Sequence, residues 1–444
     1  MNSFRLIIVL MLCTDLLCGN NYSQKTGYIT KEDGLSQNYI SSIVQDSKGF
    51  MWFGTLDGLN CYNGYNFKIY YSKPDDTTSI SCNQIKKMVI GKDGHIWIGT
   101  YNGINCFDPY TNKFKRYPIL SPTSRKNEIG YLAVDHSGLI WFGYTDDECL
   151  ISLDPSNEVL NFYKLPILDD SLKLNPSKVK RNVYSIGSLM VDSTNNIWVG
   201  TNEGSLLLFN NQLKKFTHVD LIDPNCNIYA IAEINADSLC LGTFNKGFCF
   251  YNIKDKIRGP IYQFNRSGGK EISFLWDIAK GPDGNLWFGT WDSGFFQLEI
   301  KKKKMNQVYL SLPGNTGISS RSVCSIFFDK SGLLWCGTNG YGLYSLNPSQ
   351  EGFNTINQQI KGVIEQTASS DIELYSLSSS DSKNNSLSFQ SLRSVYANDD
   401  FIWLGGYNGL NKIDRKTSLI KVIDNKLIPY VMRPDFNDPK AFYT

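Results

Sequence analysis

Short stretches of alternating apolar and polar residues recur along the chain, separated by turns rich in glycine and aspartate. In the first clear copy, Ile40 to Gln45 alternates and predicts a strand, Asp46 to Gly49 predicts a turn, and Phe50 to Thr55 predicts a second strand. Leu59 to Tyr62 and Phe67 to Tyr71 have the same character. The pattern therefore predicts a unit of four short strands.

A short motif marks this unit eight times, with tryptophan at its first position in seven copies and glycine two residues later in all eight. The copies begin at Trp52, Trp97, Trp141, Trp198, Cys240, Trp287, Trp335 and Trp403. Consecutive copies are mostly 42 to 57 residues apart, and strand-like repeats of that length are typical of propeller blades. One four-stranded sheet cannot bury both faces, whereas blades stacked around an axis can, with the indoles filling the space between them.

The ends of the repeat region predict how the ring closes. Tyr28 to Thr30 resembles the fourth strand of other units, and we expect it to pair with the sheet of Trp335, which removes an open edge. Residues 24–350 are therefore predicted to form an all-β, seven-bladed propeller. The last step, of 68 residues, indicates a domain break, and residues 351–444 are predicted to hold the first blade of an incomplete second propeller. An eighth blade in a single ring is the alternative.

The first 23 residues have the pattern of an export signal. Arg5 precedes an apolar run from Leu6 to Leu12, and small or polar residues follow. We expect a periplasmic protein, with lipidation at Cys18 left open. Beyond residue 24 no apolar stretch is long enough to predict a membrane span.

Charge and composition exclude several classes. The 444 residues include 44 basic and 42 acidic residues, so the net charge of +2 does not favour nucleic acid as a partner. The 3 histidines are scattered, and no cofactor, metal site or catalytic motif is predicted. Cys61, Cys106 and Cys249 occupy the same position of the repeat, which indicates packed thiols rather than disulfide partners.

The repeat resembles the two-component regulator propeller repeat. The segment from Val44 to Tyr62 is nearly a consensus copy, and the segment from Lys92 to Phe107 is another. Such repeats are typical of the periplasmic sensor of hybrid two-component histidine kinases of Bacteroidetes, which commonly detect products of carbohydrate breakdown. The resemblance implies a truncated, N-terminal part of such a sensor. It also implies an oligosaccharide ligand, and a downstream kinase or second propeller half as partner. Kinase activity is not implied for any residue here.

Aromatic and polar residues in the loops of one face are the candidate ligand site. Turns between the second and third strands share a face with the loops that precede each first strand, and aromatic rings beside carboxylates and amides suit sugars. The candidates are Tyr101, Asn102, Glu203, Phe244, Asn245, Trp276, Trp291 and Asp292. Ordinary turn chemistry is the alternative explanation for the polar ones. The run Lys301 to Lys304 is a solvated turn or a site for acidic glycans.

Three functions remain open at this level. The first is a sensor or binding module without enzymatic activity. The second is a secreted propeller enzyme acting on glycans, such as a lyase or a glycosidase. The third is a free propeller that binds proteins, and a homodimer is compatible with any of them.

Overall fold

The computed structural model describes residues 22–23, 26–117, 127–167, 184–265, 271–348, 392–397, 401–406, 409–414, 420–424, 433–434 and 442–443, apart from residues 146, 225, 245, 273, 292–293 and 310–321. Among these residues the only helical element is a single turn of 3-10 helix, Lys31–Asp33. No helix in this part of the chain is both long and apolar enough to cross a membrane.

Seven antiparallel four-stranded sheets form the bulk of the molecule. We number them blades 1 to 7 along the chain and letter their strands a to d. The strands are Ile40–Gln45, Met51–Thr55, Gly58–Tyr62 and Phe67–Tyr70 in blade 1; Ile85–Ile90, Ile96–Thr100, Gly103–Asp108 and Lys113–Tyr117 in blade 2; Ile129–Val134, Ile140–Tyr144, Cys149–Leu153 and Leu160–Lys164 in blade 3; Ile186–Val191, Ile197–Thr201, Ser205–Asn210 and Lys215–Leu221 in blade 4; Ile228–Asn235, Ser238–Thr243, Phe248–Asn252 and Ile257–Tyr262 in blade 5; Leu275–Lys280, Leu286–Thr290, Phe295–Glu299 and Lys304–Tyr309 in blade 6; and Val323–Phe328, Leu334–Thr338, Leu343–Leu346 and Thr26–Ile29 in blade 7.

The ring is closed by the beginning of the chain, as predicted. Strand d of blade 7 is Thr26–Ile29, which pairs antiparallel with strand c so that Tyr28 lies opposite Tyr344. Strands a contact one another from blade to blade in a closed circle, blade 7 meeting blade 1. Seven blades therefore complete the ring, and the alternative of an eighth blade in it is wrong. Just before the closing strand, Tyr22–Ser23 pairs in parallel with strand d of blade 6, which places these two residues of the predicted signal segment in a strand.

Further short strands lie outside the ring sheets. Phe264–Asn265 pairs with Glu271–Ile272 after blade 5, and Arg433–Pro434 pairs with Phe442–Tyr443 near the end of the chain. One more four-stranded antiparallel sheet carries the eighth copy of the motif, including Trp403; its strands are Leu392–Ala397, Phe401–Gly406, Gly409–Asp414 and Ile420–Asp424. That this sheet begins a second propeller stays a prediction.

The core of the ring lies between the blades. The indole of Trp141 packs against Phe209 of blade 4 with ring centroids 5.3 Å apart, and that of Trp335 packs against Phe53 of blade 1 at 5.7 Å. Every strand-b tryptophan of the ring is buried in a cluster with residues of the next blade. Blade 5 has Cys240 instead, and there the packed rings of Phe248 and Phe288, 4.7 Å apart, fill the space.

The turns between strands a and b explain why aspartate precedes the tryptophan. Asp135 accepts hydrogen bonds from the backbone amides of Ser137 and Leu139 and, through Oδ2, from the Trp141 indole at 2.8 Å. The same indole–carboxylate bond occurs in blades 1, 4 and 7. Blades 2 and 6 have Gly91 and Gly281 at this position, and their buried indole nitrogens have no hydrogen-bond partner among the described residues.

Cys61, Cys106 and Cys249 are free cysteines, as expected from their shared slot in the repeat. Burial raises the pKa of Cys61 to about 11, of Cys106 to about 12 and of Cys249 to about 12. These thiols are therefore packing groups and not nucleophiles.

Candidate functional site

Every strand a of the ring begins with the same irregularity. In each blade one extra residue is inserted near the start of strand a, opposite the end of strand b, as between Ile40 and Ser42 in blade 1 and between Leu275 and Asp277 in blade 6. A β-bulge re-aims side chains and is common near binding sites. Because strands a surround the axis, seven bulges lie around its mouth.

The bulges line a cavity of about 190 Å³ on the axis of the ring, which we call the axial cavity. All seven blades contribute to it through strand a or the residue before it. Its lining includes Tyr39, Ser41, Lys86, Lys87, Tyr131, Ser188, Tyr229, Trp276, Asp277 and Cys324, with Leu56, Tyr101 and Thr145 from the turns between strands b and c. No single blade forms this cavity, so it exists only in the closed ring.

The turns between strands b and c are fixed over the start of strand a. The backbone amide of Tyr101 donates to the carbonyl of Gln84 at 3.1 Å, and that of Trp291 donates to the carbonyl of Phe274 at 3.1 Å. Phe244 makes the same bond in blade 5, as do the corresponding residues of blades 3, 4 and 7. The first residue of each of these turns is thereby held at the mouth of the axial cavity.

Five half-buried aromatic residues of blades 5 and 6 form a continuous group at this mouth, and we call it the aromatic wall. Its members are Tyr229, Phe244, Phe274, Trp276 and Trp291. Trp276 stacks on Trp291 with centroids 4.8 Å apart and an interplanar angle of 26°. Tyr229 lies 5.1 Å from Trp276 and 5.7 Å from Phe244. The wall is partly exposed apolar surface beside polar cavity residues.

The charged residues of the cavity differ in how they are paired. The ammonium of Lys86 forms an ion pair with Glu128 and lies 5.3 Å from the centre of the Tyr101 ring. Asp277 accepts hydrogen bonds from the backbone amides of Ile278 at 3.0 Å and Ile326 at 2.9 Å. Burial raises the pKa of Asp277, and the charge of Lys87 opposes that rise.

The structure brings four of the eight predicted residues together and gives Glu203 a structural role instead. Tyr101, Phe244, Trp276 and Trp291 lie at the cavity mouth. Glu203 accepts hydrogen bonds from the amide and the hydroxyl of Ser185, which ties its turn to strand a, and burial raises its pKa.

The structure places none of the remaining predicted residues in the axial cavity. Asn102 is exposed. Its backbone amide donates to the hydroxyl of Thr100, and its backbone carbonyl accepts from the hydroxyl of Ser81, as is ordinary in a turn. Asn245 and Asp292 lie outside the described residues. The lysine run forms an exposed turn from Lys301 to Lys303 on the opposite face, with strand d starting at Lys304.

Sequence reasoning missed Lys87, Tyr131, Tyr229 and Asp277. All four lie in bulges and line the axial cavity. The sequence could have indicated them by position, because each is one or two residues after the aliphatic residue that begins a strand a.

A second cavity of about 270 Å³ lies between blades 1 and 2 near the opposite face. Its polar groups already bond one another, since Asn112 accepts from the Lys68 ammonium at 2.8 Å and from the Tyr70 hydroxyl at 2.5 Å. The axial cavity is therefore the stronger candidate site.

Comparison with known proteins supports the resemblance to the two-component regulator propeller repeat. The family model described as "Two component regulator propeller" matches residues 34–57, 79–102 and 270–292, which cover strands a and b of blades 1, 2 and 6. Histidine kinase P4 of Formosa agariphila is 44% identical over 79 residues, 18% of this chain and 6% of the kinase. The chain thus carries two-component regulator propeller repeats, as the sequence predicted.

Solved structures show the same fold. The extracellular domain of the putative hybrid two component system BT3049 from B. thetaiotaomicron matches 93% of this chain and 51% of its own length, with a TM-score of 0.60 and 20% identity. A catalytically inactive histidine-to-alanine variant of virginiamycin B lyase from Staphylococcus aureus, with quinupristin, matches 73% of this chain and 99% of its own length, with a TM-score of 0.54 and 16% identity. The chain spans about half the length of the first structure and a small part of the kinase.

Proposed function

We propose that this chain is the ligand-binding propeller of a periplasmic two-component sensor, and that it binds an oligosaccharide at the axial cavity without chemically changing it. The aromatic wall carries the proposal. The apolar face of a sugar ring packs on an aromatic ring, while its hydroxyls need donors and acceptors nearby. Trp276 offers such a face directly beside Asp277.

The rigid ring suits a sensor. Cavity residues come from all seven blades, whose first strands contact one another in a closed circle, so a ligand bound there can reach several blades. The proposed partner is a histidine kinase that receives the signal from the propeller. The two-component regulator propeller repeats of this chain, its 79-residue similarity to histidine kinase P4 and the fold that it shares with BT3049 support that role.

An enzyme of the lyase type is the second candidate, favoured by the fold shared with virginiamycin B lyase. A histidine-to-alanine substitution inactivates that enzyme. In this chain all three histidines lie away from the axial cavity: His95 and His136 are in turns between strands a and b on the opposite face, and His218 is exposed on an outer strand. The described lining of the cavity thus lacks the residue type on which that lyase depends.

Calorimetry with a panel of defined oligosaccharides tests the proposal. We expect at least one to bind, and Trp276→Ala to weaken it about tenfold, because lost ring stacking and burial amount to about 1–2 kcal/mol. Trp276→Phe keeps an aromatic face and should retain most of the affinity. Tyr110→Ala removes an exposed ring on the opposite face and is the matched control.

The proposal fails if no saccharide binds, or if Trp276→Ala binds as tightly as the unchanged protein. Thermal unfolding of each variant separates loss of the site from loss of the fold. Release of a product from any panel member, followed by chromatography, would favour the enzyme instead.

A further inference from the structure

The second residues of the seven bulges include charged, aromatic and small side chains, and five of them line the axial cavity. The seven residues are Ser42, Lys87, Tyr131, Ser188, Ala230, Asp277 and Ser325. Lys87 and Asp277 are the two charged ones, and they lie in blades 2 and 6. These blades are three steps apart in one direction around the circle of seven and four in the other, so their bulges face each other across the axis.

Asp277 is occupied by a structural task. Its Oδ2 accepts the backbone amide of Ile326 in the next blade at 2.9 Å. In blade 1 the hydroxyl of Ser42 accepts the amide of Met88, also in the next blade, at 3.0 Å. Asp277 therefore replaces a serine that joins neighbouring blades, and both its oxygens already accept backbone hydrogen bonds.

Lys87 has no such task. It is half-buried in the cavity lining, and within the described parts of the chain its ammonium forms neither a hydrogen bond nor an ion pair. Its charge acts on Asp277, where it opposes the rise in pKa that burial causes, but both carboxylate oxygens of Asp277 already accept backbone hydrogen bonds. Its neighbour Lys86 differs, because the ammonium of Lys86 is held by Glu128 and the Tyr101 ring. Taking an ammonium partly out of water is unfavourable unless an acceptor compensates.

We infer that Lys87 makes the axial cavity selective for saccharides that carry an anionic group, a carboxylate or a sulfate ester, which its ammonium binds while the sugar packs on the aromatic wall. The inference rests on the proposed function and narrows its ligand class. A charge-assisted hydrogen bond in a half-buried site discriminates strongly against a neutral analogue.

Matched pairs of probes that differ only in charge test this selectivity by calorimetry. One pair is trigalacturonic acid and its methyl ester, and the other is a monosulfated galactobiose and galactobiose. For at least one pair we expect the acid to bind the full chain about 10- to 100-fold more tightly than its neutral partner, the range typical of a hydrogen bond to a charged group. The pair that shows the preference tells carboxylate from sulfate.

Three variants assign the preference to one residue. Lys87→Met keeps the length and removes the charge, and it should make the two members of the pair bind alike. Lys87→Arg should keep a clear preference for the acid. Lys301→Met removes an exposed lysine on the opposite face and should change nothing, whereas an effect there would move the acidic site to the lysine run.

The inference is overturned if acid and neutral partners bind the unchanged protein equally, or if Lys87→Met keeps the preference. A Lys87→Met variant that loses thermal stability but still prefers the acid would show that Lys87 only neutralises Asp277. Binding of neutral saccharides that depends on Trp276, without a preference for acids, would leave the proposed function standing and reject this inference alone. Absence of any saccharide binding would reject both.

Discussion

Replacing Asp135 by alanine should destabilise the ring through one buried indole. The side chain of Trp141 is fully buried, and its Nε1 donates to Asp135 at 2.8 Å. Without the carboxylate this donor has no partner, and an unsatisfied buried polar group costs about 1–3 kcal/mol. The amides of Ser137 and Leu139 also lose their acceptor, but their turn lies at the surface, where water replaces part of the bond.

The total loss is therefore about 2–4 kcal/mol, the indole contributing most of it. In a protein of this size each kcal/mol lowers the Tm by about 2 °C, so we expect a decrease of roughly 4–8 °C. The assay is thermal unfolding of the full chain followed by near-UV circular dichroism, which reports the packing of the indoles. Asp135→Asn keeps one acceptor oxygen and should lose about half as much.

Blade 2 offers the matched control within the same chain. Asp93 lies in the equivalent turn, where its Oδ1 accepts the backbone amide of His95, but the Trp97 indole has no partner within the described part of the chain. Asp93→Ala should therefore cost less than about 1 kcal/mol, as expected for an exposed turn residue. Equal decreases in Tm for Asp135→Ala and Asp93→Ala would refute the reasoning, because the indole bond would then contribute nothing.

Two further predictions follow from the same packing. Combining Gly91→Asp with Asp93→Ser places the aspartate and serine of the blade 3 turn in blade 2 and gives the Trp97 indole an acceptor. Asp93→Ser removes the carboxylate oxygen that would lie 2.6 Å from the new Cβ, and the indole, 3.0 Å from it, must shift slightly to bond the new carboxylate. The Tm should rise by about 2 °C for about 1 kcal/mol gained, and an unchanged or lower Tm would contradict this. Burial raises the pKa of Cys249 from 9.0 to about 12, so the folded state binds a proton that the unfolded state releases above pH 9. Stability should fall as the pH rises above about 9, and a thiol reagent at mildly alkaline pH should modify Cys249 only after unfolding, as mass spectrometry of the labelled peptides would report; rapid labelling of the native protein would argue against its burial.

The sequence alone determined the repeating parts of this protein. The spacing of the strand-b tryptophans predicted the blades, and the resemblance of the Tyr28 segment to an outer strand predicted the closing pair with blade 7. These features are local or repeated at a fixed period, so each copy supports the others. Trp291 could be assigned to one face for the same reason, because strand order places all turns between strands b and c on it. Trp276 could be assigned to the same face because the loops that precede each strand a also lie there.

Only the tertiary structure decided which residues share the cavity. Lys87, Tyr131, Tyr229 and Asp277 are separated by about one blade length or more along the chain, and no local pattern distinguishes them from other bulge residues. Glu203 shows the converse, since its sequence position suggested a ligand contact while its carboxylate bonds Ser185. A repeat specifies where each strand goes, but side chains meet across the axis only when seven blades close, and that closure decides whether a polar group faces its neighbour or the cavity.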